Sequence, residues 1–383
     1  MLATRQRRTL TRLRLSSQLV SDRAGDILNP ADVVRWMTAI QAQDFLAAKW
    51  AVGVRLPGVM EAGIDAAIAN RSIVRSWPLR GTLHLVAPED LGWMLKLSEE
   101  RMLARTASIF AAEGLTPRIL EAARDASRNA LSGDSAHSGK NAQSGKNALT
   151  RDEMSQIFDG VGINSQGQAR YHTLWYLSQT GTLCLGANRG KQQTFVLLDE
   201  WVPNPRRLDR EEGLGELARR YFLSHGPATL RDFAWWAQLT IKDARIGLAI
   251  AMASLTKLEL DDREYYLSPA VSGAPPDSDS TRLLPSFDEQ LLGYQDRSAP
   301  LATEHARFVI PAKNGLFLPT IVRDGLVVGT WKRTIVRDQV TVVPKWFAAP
   351  SRATEIGFVR QAKHYAAFLG TQLRLPASSD EPM

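Results

Sequence analysis

The segment SIVRSWPLRGTLHLVAP (72–88) decides how the rest of the chain is read. Two short runs of strand-forming residues flank Arg80-Gly81, and Gly81 supplies the turn. Upstream, apolar residues recur at helical spacing, which predicts helices near 30–41, 44–55 and 61–70. Asn29-Pro30 gives the first of these an N-cap with proline at the first helical position. Three helices followed by a hairpin is the plan of a winged helix-turn-helix module.

Working outward, the pattern occurs twice more. Helices near 150–159 and 166–180 lead into GTLCLGANRGKQQTFVLL (181–198), with a polar tip from Asn188 to Lys191. Helices near 209–224, 229–237 and 240–254 lead into TKLELDDREYYLSP (256–269). The tips differ in chemistry. Arg189 and Lys191 suit phosphate, whereas Asp261, Asp262 and Glu264 repel it. Beyond SGAPPDSDS (272–280) the period changes to β-branched and aromatic runs between turn signals. Asp324-Gly325 marks one tight hairpin, and a helix near 351–370 closes this part. The expected fold class is α+β: three tandem winged helix-turn-helix modules and a C-terminal β-rich, barrel-like domain. The boundaries are 1–115, 116–205 with a flexible insert at 132–149, 206–272, and 280–375. The insert contains SGKNA twice and lacks the spacing of a phosphate-binding loop. The tail PASSDEPM (376–383) is expected to be disordered.

Composition limits the function classes. The chain has 383 residues, 44% of them hydrophobic, and one cysteine, Cys184. A disulfide framework and a cysteine-based zinc site are excluded, and a reducing compartment fits. No apolar run approaches the ~20 residues that span a bilayer. The acid-free first 21 residues resemble an organellar presequence in charge. Leu10, Leu13, Leu15, Leu19 and Val20 favour instead a packed first helix. The net charge of +7 points to a polyanionic partner. Residues 1–110 hold 15 basic and 10 acidic side chains, and residues 280–383 hold 13 and 9, so the excess lies at the two ends.

Within the first module, TAIQAQDFLAAKW (38–50) places two carboxamides and a carboxylate among apolar residues. Gln41 continues the helical face of Val34 and Met37. An unsatisfied buried amide costs about 1–3 kcal/mol, so Gln41 is either bonded within the core or held at a pocket. On a straight helix Gln41 and Gln43 point about 200° apart. They converge only where the motif straddles a helix boundary. Asp44 suits a general base, and suits better the N-cap of a helix from Phe45. His84 on the hairpin faces either the site or a structural hydrogen bond. Arg75, Trp77 and Arg80 form a basic-aromatic wing suited to phosphate and stacking contacts, unless the wing is simply solvated. Asp288 and Glu289 read as neighbours on a strand, pointing to opposite faces, with a structural role. Asp296 and Arg297 read as an ion pair, and Lys49 as an exposed helical lysine. No cluster has metal-ligand spacing.

Four segments carry a family resemblance: QAQD (41–44), SWPLRGTLHLVAPEDL (76–91), LLPSFDEQLLGYQDR (283–297) and GLFLPTIVRDGLVVGTWKR (315–333). In order and content the chain resembles the tandem winged-helix DNA glycosylases of the AlkZ and YcaQ type. The Gln-x-Gln motif is similar to the AlkZ-like branch; the YcaQ-like branch carries Gln-x-Asp. The resemblance implies three winged-helix modules and a β-rich domain arranged as a C around double-stranded DNA. It implies that Gln41 and Gln43 act in hydrolysis of the N-glycosidic bond of N-alkylated purines, including bulky adducts and interstrand crosslinks. Asp44 and His84 are candidates for support. Arg75, Trp77, Arg80, Arg189 and Lys191 are candidates for DNA contact. A monomeric, monofunctional enzyme without cofactor, metal or membrane, located in the cytoplasm at the nucleoid, is expected. The alternatives are a non-catalytic winged-helix regulator and an enzyme on another polyanion or a small molecule.

Overall fold

The computed structural model describes residues 4–21, 27–132, 147–163, 168–271, 281–312 and 315–375. The SGKNA insert for the most part, the SGAPPDSDS loop and the tail from 376 lie outside them. By packing the chain divides into two units, residues 1–64 with 214–383, and residues 65–213.

In the unit of residues 65–213 the first two hairpins share one sheet. Thr82–Val86, Val74–Leu79, Leu183–Leu185, Thr194–Leu197 and Leu149–Thr150 lie side by side in that order, joined where Arg75 pairs with Leu185. Gly81 turns the first hairpin at φ 67°, after Arg80 at φ 57°, as a two-residue turn of this hand requires. Pro78 cannot donate to the ladder, and the pairing shifts register between Ser76 and Leu79. The helices Arg151–Gly160 and Ala169–Gln179 form close to the expected limits. Two helices that the periodicity reading passes over, Pro88–Ala112 and Pro117–Leu131, carry start signals in sequence. Each has proline in its first turn, and Thr116 caps the second.

In the other unit the amino-terminal helix Thr4–Ser17 forms, and Leu10, Leu13, Leu15, Leu19 and Val20 are all buried. The third hairpin, Thr256–Leu260 with Arg263–Leu267, turns through Asp261 and Asp262, both at positive φ. It follows the helices Leu230–Ala237 and Ile241–Ala251. The C-terminal part is a five-stranded sheet in the order Thr281–Leu284, Thr320–Arg323, Leu326–Val336, Gln339–Trp346 and Gln372–Arg374. All its pairings are antiparallel except the last. The helix Arg352–Leu369 packs on this sheet. Trp50 bridges to it, meeting Tyr365 edge-on and Phe368 at a tilt while its indole N–H donates to the Leu283 carbonyl at 2.8 Å. Trp331 makes the matching bond to the Leu284 carbonyl at 2.8 Å.

Two expectations are corrected here. Asp288 and Glu289 lie at the start of the short helix Glu289–Leu292, not on a strand. Asp288 caps it and takes both Arg55 amino groups, at 2.8 and 3.1 Å. Glu289 is buried and accepts from the Trp236 indole at 2.9 Å. Asp296 and Arg297 do not pair with each other. Asp296 takes Arg263 at 2.7 Å, and Arg297 lies over the Trp235 and Phe317 rings.

Candidate active site

The helix Pro30–Met37 is closed at its start by a reciprocal capping box between Asn29 and Asp32. It ends at Thr38, whose φ of 68° turns the chain out of the helix. Residues Ala39–Gln41 are extended. Gln41 therefore does not continue a helical face, although it is buried, 8% exposed. Gln43 lies beyond the strand at a bend and is exposed. The motif occupies the connection before the helix Phe45–Arg55, so the 200° divergence of a straight helix does not apply.

Asp44 caps that helix, its Oδ1 accepting from the Ala47 N–H at 3.0 Å. Its other oxygen accepts from the Ser286 hydroxyl at 3.2 Å and lies 3.5 Å from the Arg333 guanidinium. One residue thus fixes the start of a helix and ties it to the turn after Thr281–Leu284 and to the strand Leu326–Val336. Around this contact opens a cleft of about 610 Å³. Gln43, Asp44, Ser286, Lys332 and Arg333 give it polar and charged groups. Phe287, Phe317 and Trp331 give it an aromatic wall. Such a cleft can bond a water or sugar oxygen through the amide, place cations beside phosphate, and receive a flat ring.

Lys49 is not exposed. It is buried, paired with Glu61 at 2.9 Å and set over the Phe45 ring. Among the described residues no group of three or more His, Cys, Asp or Glu could hold a metal ion, and no helix is long and apolar enough to cross a membrane.

The remaining sequence-predicted residues lie in the unit of residues 65–213. His84 is fully buried. Its Nδ1–H donates to the Thr82 carbonyl at 2.8 Å, and its Nε2 accepts from Arg80 at 3.0 Å. Burial, with the Arg80 charge, holds its pKa well below the usual histidine value, against the opposing bond to Thr82. The ring is neutral with a fixed tautomer. Arg75 and Trp77 are 3% and 1% exposed. Their burial corrects the picture of an open basic-aromatic wing; Arg80 alone of the three reaches solvent in part. Arg189 is exposed and shared with Glu153 at 2.8 Å; Lys191 is exposed at the same tip.

Ser286, Phe287, Lys332 and Arg333 are not singled out by spacing or periodicity. The signal for them is their place inside two of the four resembling segments, LLPSFDEQLLGYQDR and GLFLPTIVRDGLVVGTWKR.

With this geometry in place, comparison assigns the class. The family described as DNA glycosylase AlkZ-like matches residues 34–368, and the chain belongs to that family. More particularly, the chain is similar to the interstrand DNA cross-link repair glycosylase of Streptomyces sahachiroi. The two are 28% identical over 364 residues, covering 90% of this chain and 92% of the relative. It is also similar to the solved structure of Streptomyces sahachiroi DNA glycosylase AlkZ. There the TM-score is 0.77 and the identity 25%, over 98% of this chain and 100% of the other.

Proposed function

We propose that this protein removes N-alkylated purines from double-stranded DNA by hydrolysing the N-glycosidic bond, with Gln41 and Gln43 positioning the attacking water. The carrying observation is the cleft in which Gln43 and Asp44 stand beside Lys332 and Arg333. A purine alkylated at N7 or N3 is already cationic, so its departure needs little acid catalysis. What the protein must supply is a water held in line with C1′ and a partner for the oxocarbenium-like charge. A carboxamide accepts from water and donates to sugar or phosphate oxygen. Asp44, anchored by Ser286 and Arg333, offers fixed negative charge near the sugar.

The curated relative's name supports extending the substrates to bulky adducts and interstrand crosslinks. Monofunctional chemistry is supported by the ion pair that occupies Lys49. Arg80, Arg189 and Lys191 are the contacts proposed for phosphate, with the enzyme acting as a monomer at the nucleoid and without a metal. The division into winged-helix modules at 1–115, 116–205 and 206–272, with the β-rich domain at 280–375, belongs to the same proposal. The three hairpins support it.

The test is base release from a duplex carrying one N7-methylguanine, followed by hot alkali. The wild type is expected to release the base and the Gln41→Ala/Gln43→Ala variant is not. Equal release by both would remove the glutamines from the mechanism. Strand cleavage by the wild type before alkali would remove the monofunctional assignment. Sequence-specific binding with no release from methylated, bulky or crosslinked DNA would leave the regulator reading in its place.

A further inference from the structure

Phe287 has a backbone φ of 60°. This left-handed conformation is taken readily by glycine and sometimes by asparagine, but it is an outlier for a bulky side chain. The neighbours on each side account for how it is held. Ser286 is buried and its hydroxyl donates to Asp44 at 3.2 Å. Asp288 is buried, takes two bonds from Arg55, and accepts from the Gln290 N–H at 3.0 Å. Two polar anchors therefore fix the residue between them. Phe287 itself is only partly buried and lines the cleft. Strain of this kind persists where surrounding structure over-determines it, commonly at working sites. A glycine would make the same turn without strain, so what the phenylalanine adds is its ring.

The ring's surroundings say what it can receive. Phe317 lies 6.4 Å away, centroid to centroid, and is tilted by 54°. Phe317 is in turn braced by the Arg297 guanidinium, 5.0 Å from its centroid. The exposed Lys332 and the part-buried Arg333 line the same cleft. An aromatic wall beside two cations complements a ring attached to a phosphodiester. We infer that Phe287 is the substrate-stacking residue of this cleft, its ring lying against the alkylated base and setting the lesion's place beside Gln43. The inference rests on the glycosylase reading above.

Excision kinetics and melting temperatures of the full chain and three variants test it. The substrate is the N7-methylguanine duplex, and a lesion-free duplex measures general DNA affinity. Phe287→Tyr keeps the stacking face and should hold KM within about twofold. Phe287→Gly and Phe287→Leu should raise KM about tenfold, with smaller effects on kcat and none on lesion-free affinity. Phe287→Gly should melt at or above the wild-type temperature, since glycine relieves the positive φ. A wild-type KM in the leucine variant would overturn the inference, because any apolar side chain would then serve. So would a glycine variant that melts lower and loses lesion-free affinity in proportion, which is the signature of a folding role. Wild-type release with unchanged kinetics in the glycine variant would overturn this inference alone. A wild type that releases no alkylated purine would overturn the functional reading with it.

Discussion

Arg55 is 1% exposed and meets Asp288 through two bonds in the unit that carries the cleft. Its Nε also donates to the Gln18 carbonyl at 2.9 Å, and Nη1 to the Ala51 carbonyl at 2.9 Å. With Nη2 also donating to the Gln18 side-chain oxygen at 3.4 Å, all five N–H groups of the guanidinium are used. Removing one member leaves the other charged and buried, which costs about 3–5 kcal/mol. Arg55→Ala and Asp288→Ala should each lower stability by about that amount in urea unfolding. Arg55→Met/Asp288→Leu should recover part of the loss, since it removes the orphaned charge but leaves the Gln18 carbonyl and the Gln290 N–H without these partners. His84 gives a second expectation at this scale. Its folded pKa is depressed by burial and by Arg80. Below the unfolded value near 6.5 the unfolded chain binds a proton that the folded chain excludes. Stability should therefore fall as pH drops below about 6.5, by up to ~1.4 kcal/mol per pH unit, until the folded-state pKa is reached. His84→Gln should flatten that part of the melting temperature–pH curve. A curve of unchanged slope in the variant would mean that His84 contributes nothing to it.

At the scale of elements, the turn between Thr320–Arg323 and Leu326–Val336 does two jobs. Asp324 and Gly325 sit at φ 50° and 82°, as the two-residue hairpin demands. Gly325 also abuts the amino-terminal helix: a Cβ there would lie 2.4 Å from the Thr11 hydroxyl oxygen and 2.7 Å from its Cβ. Gly58 has a comparable φ of 97° with no atom within 4 Å. Gly58→Ala should thus cost about 1 kcal/mol from conformation alone, and Gly325→Ala clearly more. Equal costs in thermal melts would show that the helix yields freely. This turn was legible in the sequence because its chemistry is local. The same holds for Gly81, for the Asn29-Pro30 cap, and for most helix limits. Thr38 was not legible. A β-branched residue at positive φ carries no local signal, so the helical spacing runs on over Ile40 and Gln41, which are buried as part of a strand. The long helix Pro88–Ala112 is marked in sequence chiefly at its start, by Pro88, Glu89 and Asp90. The cleft was out of reach of periodicity altogether. Asp44, Ser286 and Arg333 meet across more than 240 residues of chain, and no spacing rule relates them. Of the residues that line the cleft, only Gln43 and Asp44 stand out in the sequence: Asp44 as a helix cap, and the catalytic reading of Gln43 through the family resemblance alone.

Over the whole molecule the charge is unevenly shared. The unit of residues 1–64 and 214–383 holds 29 basic and 23 acidic side chains, and that of residues 65–213 holds 18 and 17. Nearly all of the net +7 thus belongs to the unit that contains the cleft. Phosphate neutralisation releases counterions, so the affinity for lesion-free duplex should fall steeply with salt. The slope of log K against log[salt] is about −0.9 per phosphate contacted. Lys332 is exposed at the cleft, where a contact with the backbone would place the cleft over the sugar. Lys332→Met should weaken binding to any duplex by a similar factor, whatever its sequence or lesion, and reduce the salt slope by about one. Loss confined to lesion-bearing DNA would mean instead that Lys332 touches the base. An unchanged slope would move the DNA path away from this rim of the cleft. Fluorescence anisotropy between about 50 and 200 mM salt, over which several phosphate contacts change affinity by orders of magnitude, separates these outcomes without requiring turnover.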